Sequence, residues 1–185
     1  MIHPFNNHNK IIIHHHRLEN TAIMHELPRI SIVIPSFNQV NFLAKALESL
    51  ENQKYSDLEV IVIDGASIDG TVDLLTTSRV VNKWISEPDK GQTNALNKGF
   101  KMATGEVFGW LNCDERYRDG TLNLVSRAFL EDPKLEIAFG HRIVVDVNGN
   151  EIGRERLPAI HPMKYALYAF GLLFSDTTFW WRDLH

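Results

Sequence analysis

Apolar residues along this chain come in short blocks, and the blocks alternate between two periods. Ile30-Ser31-Ile32-Val33-Ile34 is β-branched and nearly continuous, as in a strand covered on both faces. Pro35 is expected to end it, with Ser36-Phe37-Asn38 as the loop that follows. Leu43, Leu47 and Leu50 then recur at helical spacing, with Asn38 as the candidate N-cap. Val60-Ile61-Val62-Ile63 reads as a second strand ending at Asp64-Gly65. Ala66 to Thr71 reads as a turn in which Ser67 or Asp69 caps a short helix through Leu75. A third strand is expected around Val80 to Ile85, followed by the polar loop Ser86 to Gly91. Gln92 to Ala103 has the spacing of a helix, with Ala95, Leu96, Gly99, Phe100 and Ala103 on its buried stripe. Asn94 and Asn97 form a polar edge near its start. Gly105 stops that helix, and Glu106 to Leu111 is a further short buried strand. Beyond it come a helix over Leu122 to Phe129 and strands at Glu136 to Gly140 and Arg142 to Val147. Asn148-Gly149 is a hairpin turn, with a returning arm from Glu151.

This alternation predicts an α/β fold: a doubly wound, mostly parallel sheet with a hairpin in the C-terminal part. In such sheets ligands bind beyond the carboxyl ends of the strands. Three polar clusters fall there: Ser36-Phe37-Asn38, Asp64, and Asn112-Cys113-Asp114-Glu115. Singly, each has a plain structural role as a cap, a turn or a solvated edge. Gathered on one edge, they describe a binding site. The oxygen-bearing side chains after Leu111 suit a hard divalent cation that can bridge a substrate's phosphates. The loop after the first strand is Pro-Ser-Phe-Asn, so it supplies neither G-x-G-x-x-G nor G-x-x-x-x-G-K-[ST]. With no glycine-rich cradle, a metal must carry much of a diphosphate's charge.

Composition narrows the setting. At 185 residues the chain has room for one domain, expected over residues 28–185 after a flexible tail at 1–27. Six of the nine histidines lie in that tail. The three in the run His14-His15-His16 diverge in either a helix or a strand, so they make a poor single metal site. A net charge of -4 and no basic run exclude a general attraction to nucleic acid or anionic lipid. Cys113 is the single cysteine and cannot form an internal disulfide, which favours a reducing, cytoplasmic location. No apolar run approaches the ~18 residues of a transmembrane helix. Tyr165 to Phe174 is the longest candidate and reads as a buried helix or an interfacial patch, which would allow peripheral association at the cytoplasmic face of a membrane. The N-terminus carries no secretory-signal pattern.

Four ordered segments, ISIVIPSFNQ, VIVIDGASIDGT, ISEPDKGQTNALNKGF and ATGEVFGWLNCDE, together resemble the family-2 glycosyltransferases with the GT-A fold. The later helix, the hairpin and the TTFWWR segment are similar as well. The resemblance implies a transferase moving a sugar from a nucleotide-diphospho-sugar, commonly a UDP-sugar, to a polysaccharide or glycolipid acceptor. Pro35, Ser36, Phe37, Asn38 and Asp64 would hold the base and ribose, with Asp64 accepting from a uracil imide. Lys90, Gly91, Asn94 and Asn97 would line the diphosphate and donor sugar. Asn112-Cys113-Asp114 would occupy the D-x-D motif, with Asn112 facing the ribose and Asp114 binding Mn2+ or Mg2+. The implied reaction is a single inverting displacement by an acceptor hydroxyl, helped by a general base.

Two positions depart from the family pattern: Asn112 stands for the first Asp, and Glu115 for the Asp that often follows the motif. The family's catalytic carboxylate belongs to a segment after the FWRR-like stretch, where this chain ends. Asp176 and Asp183 match no such motif, so no catalytic base is assigned. The alternative reading is a truncated, inactive nucleotide-binding fragment or a binding subunit. A sugar-nucleotide nucleotidylyltransferase would want a glycine-rich loop where Pro-Ser-Phe-Asn stands.

Overall fold

In the computed structural model the described residues are 12–15, 27–156 and 177–185. Strand β1 (Ile12–His15) precedes β2 (Ile30–Ser36), α1 (Val40–Glu51), β3 (Leu58–Asp64), α2 (Thr71–Thr77) and β4 (Lys83–Ser86). Then follow α3 (Gln92–Met102), β5 (Val107–Trp110), α4 (Thr121–Glu131) and β6 (Leu135–Phe139). The hairpin β7 (Arg142–Val145) and β8 (Glu151–Glu155), a last strand, β9 (Thr178–Trp181), and a 3-10 turn at Arg182–Leu184 complete the described elements.

The main sheet has the order β1-β6-β9-β5-β2-β3-β4, and the hairpin forms a separate two-stranded sheet. Strands β5, β2, β3 and β4 run parallel to one another. Alternation along β2 feeds two cores. Ile30, Ile32 and Ile34 face Leu43, Leu47 and Leu50 of α1 and Leu122, Val125 and Phe129 of α4. Val33 joins Ile61, Ile63 and Phe108 against Ala95, Leu96 and Phe100 of α3. Burial of each such leucine or isoleucine contributes about 1.5–3 kcal/mol, and coverage on both faces explains why β2 and β3 lack polar alternation. Gly99 lets α3 approach closely: a Cβ there would lie 2.3 Å from Val33 Cγ1.

Several local expectations need correction. Pro35 does not end β2; pairing with β3 continues to Ser36 opposite Asp64. The ring is tolerated because its missing N–H faces β5, whose ladder with β2 stops at Val33 and Trp110. Asn38 does not cap α1. Gln39 occupies the cap position without a side-chain bond, and the Val40 N–H is taken by Asp69 from the next loop. β4 begins at Lys83 instead of Val80, because the Asn82 side chain takes the Val60 N–H that a strand backbone would otherwise accept. Ala103 is only partly buried, since the chain turns extended at that residue.

Two strands were not expected. β9 inserts antiparallel between β5 and β6, which splits the sheet's second half. Within the expected tail, β1 pairs antiparallel with β6. Its β-branched isoleucines are too few to declare a period, yet they match an open strand edge. Residues 1–11 and 16–26 lie outside the described residues, as do Tyr165 to Phe174 and Asp176.

Candidate active site

The loops after β2, β3, β4 and β5 all open at the carboxyl edge of the sheet, and hydrogen bonds join them into one surface. Asn38 sits in the left-handed region, at φ 50°. Its N–H donates to Ser67 Oγ at 2.7 Å, and its Oδ1 accepts from the Ile68 N–H at 3.0 Å. Asp69 braces both neighbouring helix starts, accepting from the Val40 N–H at 2.8 Å and from Thr71 Oγ1 at 2.7 Å. The Thr71 hydroxyl, with the Val40 N–H, holds the Asp69 carboxyl below the usual carboxylate range.

Asp64 is fully buried, at 0% exposure. Its carboxylate accepts from the Ser67 hydroxyl, from the Ser67 N–H at 2.9 Å and from Ser86 Oγ at 2.7 Å. Thus the residue expected to meet a base is here a brace for the ends of β3 and β4, using three of about four acceptor positions. Phe37 beside it is 62% exposed. Phe37 and Asp89 both crowd Gly65, where a Cβ would lie 3.1 Å from the ring and 3.3 Å from the Asp89 carboxylate.

Asp89 also accepts from the Gly91 N–H at 2.7 Å. Gly91, at φ 95° and ψ 177°, takes a corner that L side chains avoid, and α3 starts at the next residue. Lys90 is exposed, and its N–H lies 3.4 Å from Asn94 Oδ1. Asn94 is half-buried, and Asn97 is exposed one turn further along α3.

After β5 the chain reaches Asn112, whose N–H donates to Glu115 Oε2 at 2.9 Å. Asn112 Oδ1 accepts from Gln92 Nε2 at 2.6 Å. Cys113 points inward, its thiol donating to the Pro35 carbonyl at 3.2 Å. Burial pushes that thiol up to about 11, an effect the nearby Ser36 hydroxyl partly offsets. The contact between the two side chains falls short of hydrogen-bond geometry, because Ser36 Oγ is buried without a hydrogen-bond partner. Asp114 is exposed to solvent at the tip of the turn.

The donor set fits a hard cation held largely by its substrate. Among the described residues no three His, Cys, Asp or Glu side chains converge on one point. Mg2+-type sites in nucleotide enzymes use one or two carboxylates and take their other oxygens from phosphates and water. Asp114, exposed at the turn, could supply such a carboxylate. A cleft of about 880 Å3 leads from Asp114 and Glu115 to the hairpin, with Lys45 and Glu48 of α1 and Asn52 just past its end along one wall. The hairpin arginines there are paired: Arg142 with Glu155 at 2.6 Å, and Arg154 with Glu151.

The structure therefore gathers Pro35 to Asn38, Asp64, Lys90, Gly91, Asn94 and Asn112 to Asp114 at one edge, with Asn97 on its margin. Asp183 is elsewhere. β9 runs antiparallel to β5, so its end at Trp181 faces Val107, at the opposite edge of the sheet. Asp183 lies just past it, 92% exposed and 3.7 Å from Arg182. Three contributors escaped the sequence reading: Ser86 and Asp89, which bind Asp64 and Gly91, and Gln92, which reaches Asn112. The Asp-x-Gly spacing before a helix signals the Asp89 turn; nothing local signals the other two.

Known proteins resemble this chain in sequence and in fold. The family model described as glycosyl transferase family 2 matches residues 31–183. An uncharacterised glycosyltransferase of Nostoc sp. is 29% identical over 128 residues, covering 67% of this chain and 39% of the relative. A chondroitin synthase of Pasteurella multocida is 28% identical over 146 residues, covering 72% of this chain and 15% of the synthase. The chain thus spans well under half the length of these relatives. Among solved structures, the mannosyltransferase PcManGT from Pyrobaculum calidifontis, in complex with GDP-Man and Mn2+, superposes with a TM-score of 0.59 at 22% identity. That match covers 86% of this chain and 46% of the enzyme. Staphylococcus aureus TarS 1-349, in complex with UDP, gives 0.51 at 24% identity, covering 56% and 32%.

Proposed function

The chain belongs to glycosyl transferase family 2, and from that premise we propose that it carries the donor half of an inverting glycosyltransferase, taking a UDP-sugar and serving a saccharide or lipid-linked acceptor. The observation that carries this reading is the exposed Asp114 carboxylate at the edge where the loops after β2, β3, β4 and β5 meet. Phe37 offers an open ring on which a base can stack, and the buried Asp64 sets the loop beneath it. Lys90 and the α3 start at Gly91 would face the diphosphate, where a cation and backbone N–H groups both favour negative charge. Asn94 and Asn97 would line the donor sugar. Asp114 would hold Mn2+ or Mg2+, which supplies charge neutralisation for the departing nucleoside diphosphate. The polar cleft beside Asp114 gives a hydroxyl-rich acceptor a route to the anomeric carbon. Chondroitin synthase among the relatives makes a polysaccharide acceptor the first to try.

PcManGT was solved with GDP-Man and TarS with UDP, so the shared fold accommodates more than one base. The decisive experiment is calorimetric titration of UDP, GDP and CDP with and without Mn2+. The expected result is binding that prefers UDP, requires the cation, and loses cation dependence in Asp114→Ala. Equal binding by the variant, or no nucleotide binding at all, would remove this reading. UDP binding with UDP-sugars neither transferred nor hydrolysed would instead leave donor binding without turnover.

A further inference from the structure

Strands β4 and β5 are separated by β2 and β3, yet the loops that follow them meet through one side-chain bond, from Gln92 Nε2 to Asn112 Oδ1 at 2.6 Å. We infer that Gln92 is a positioning residue: it acts through Asn112 to set how the first side chain of the Asn112-Cys113-Asp114 motif faces a nucleotide-sugar, with the Asn112 oxygen as the acceptor. This inference rests on the nucleotide-sugar reading above.

Both ends of the link are anchored. Gln92 follows Gly91, whose conformation is glycine-specific and whose N–H is fixed on Asp89. The helix it opens is held on the sheet by the close contact of Gly99 with Val33. At the other end, the Asn112 N–H is bound to Glu115, and the Leu111 N–H to the Val33 carbonyl at 3.0 Å. With both backbones fixed, a short bond between the side chains selects one rotamer for each. Gln92 is exposed, so water could satisfy its amide equally well and the bond adds little to fold stability. What the bond sets is orientation.

An asparagine amide carries an acceptor on one branch and donors on the other. Committing the oxygen to Gln92 turns the NH2 branch away from it. That orientation of the motif's first side chain is what Gln92 sets, and aspartate, with an acceptor at the same place, would keep it. The polarity has a consequence that separates it from the reverse arrangement. Aspartate at 112 still offers Gln92 an acceptor, whereas a reversed amide pair would set oxygen against oxygen.

The test is calorimetric titration of UDP with Mn2+ into wild type, Gln92→Met, Asn112→Ala, the double variant and Asn112→Asp, with thermal unfolding of each. The methionine keeps length without polarity. A positioning bond worth about 1 kcal/mol predicts a roughly fivefold weaker Kd in Gln92→Met with the unfolding midpoint unchanged. Adding Gln92→Met to Asn112→Ala should change affinity no further, and Asn112→Asp should bind about as well as wild type. Equal losses from Gln92→Met in both backgrounds would overturn the inference, because Gln92 would then act on its own. So would unchanged affinity in Gln92→Met, or Asn112→Asp binding worse than Asn112→Ala. A wild type that binds no nucleoside diphosphate removes the function reading and this inference together. Nucleotide binding that Gln92→Met leaves untouched removes the inference alone.

Discussion

Replacing Glu59 by glutamine should destabilise the protein most at neutral pH and least in acid. Glu59 is 0% exposed, at the edge of the sheet opposite the site. Its Oε2 accepts from Ser31 Oγ at 2.5 Å and from the Thr104 N–H at 2.7 Å. Oε1 accepts from Lys83 Nζ at 2.8 Å and from Thr104 Oγ1 at 2.9 Å. Burial alone would raise this carboxyl, but the bonds from Lys83, Ser31 and Thr104 outweigh it and hold the group at about 2. Against an ordinary value of 4.5, the difference corresponds to about 3 kcal/mol. It is discounted to about 2 kcal/mol because Lys83 is partly in water. The depressed value fixes the direction: this stabilisation is fully present above pH 4.5 and is lost as pH falls towards 2. A glutamine NH2 would face an obligatory donor whichever way it turned, Lys83 Nζ or the Thr104 N–H, so Glu59→Gln should cost about 3–5 kcal/mol at pH 7. Urea unfolding followed by tryptophan fluorescence from pH 2.5 to 7 measures both quantities. A loss below about 1 kcal/mol at pH 7, or a gap between wild type and variant that stays constant down to pH 2.5, would refute the reasoning.

Two further outcomes follow from the same packing. Gly99→Ala places a methyl 2.3 Å from Val33 Cγ1, so it should cost about 1–3 kcal/mol by overpacking. Val33→Ala in the same chain should return part of that loss, and a Gly99→Ala variant as stable as wild type would contradict the contact. Cys113, buried with its thiol pushed up to about 11, should resist an aromatic disulfide reagent at pH 8 in the native state and react fully in urea. Rapid stoichiometric labelling of the folded protein would show that the turn opens.

The carboxyl-edge site was legible in outline because each loop has a local signature. Pro35 to Asn38, Asp64-Gly65 and Asn112 to Glu115 each follow a β-branched or apolar run, and parallel topology sends all such ends to one edge. What each side chain does there was not legible. Asp64 is typed correctly as an acceptor, yet whether it faces a ligand or its own loop depends on Ser67 and on Ser86, 22 positions away. Asn38 has the chemistry of a helix cap, but a left-handed backbone turns it towards Ile68 and leaves the capping to Asp69.

By itself, then, the sequence determined the alternation of elements, the two-sided burial of β2 and β3, the hairpin at Asn148-Gly149 and the family. These rest on periods and turn residues that act over a few positions. Only the tertiary structure decided that Thr178–Trp181 enters the sheet between β5 and β6, that Asp183 ends on the far edge, and that Gln92 holds Asn112. Each of those depends on partners many residues away, where the alternatives differ by a few hydrogen bonds and one packed face. No local pattern distinguishes them, because the energy that selects among them exists only once the sheet has assembled.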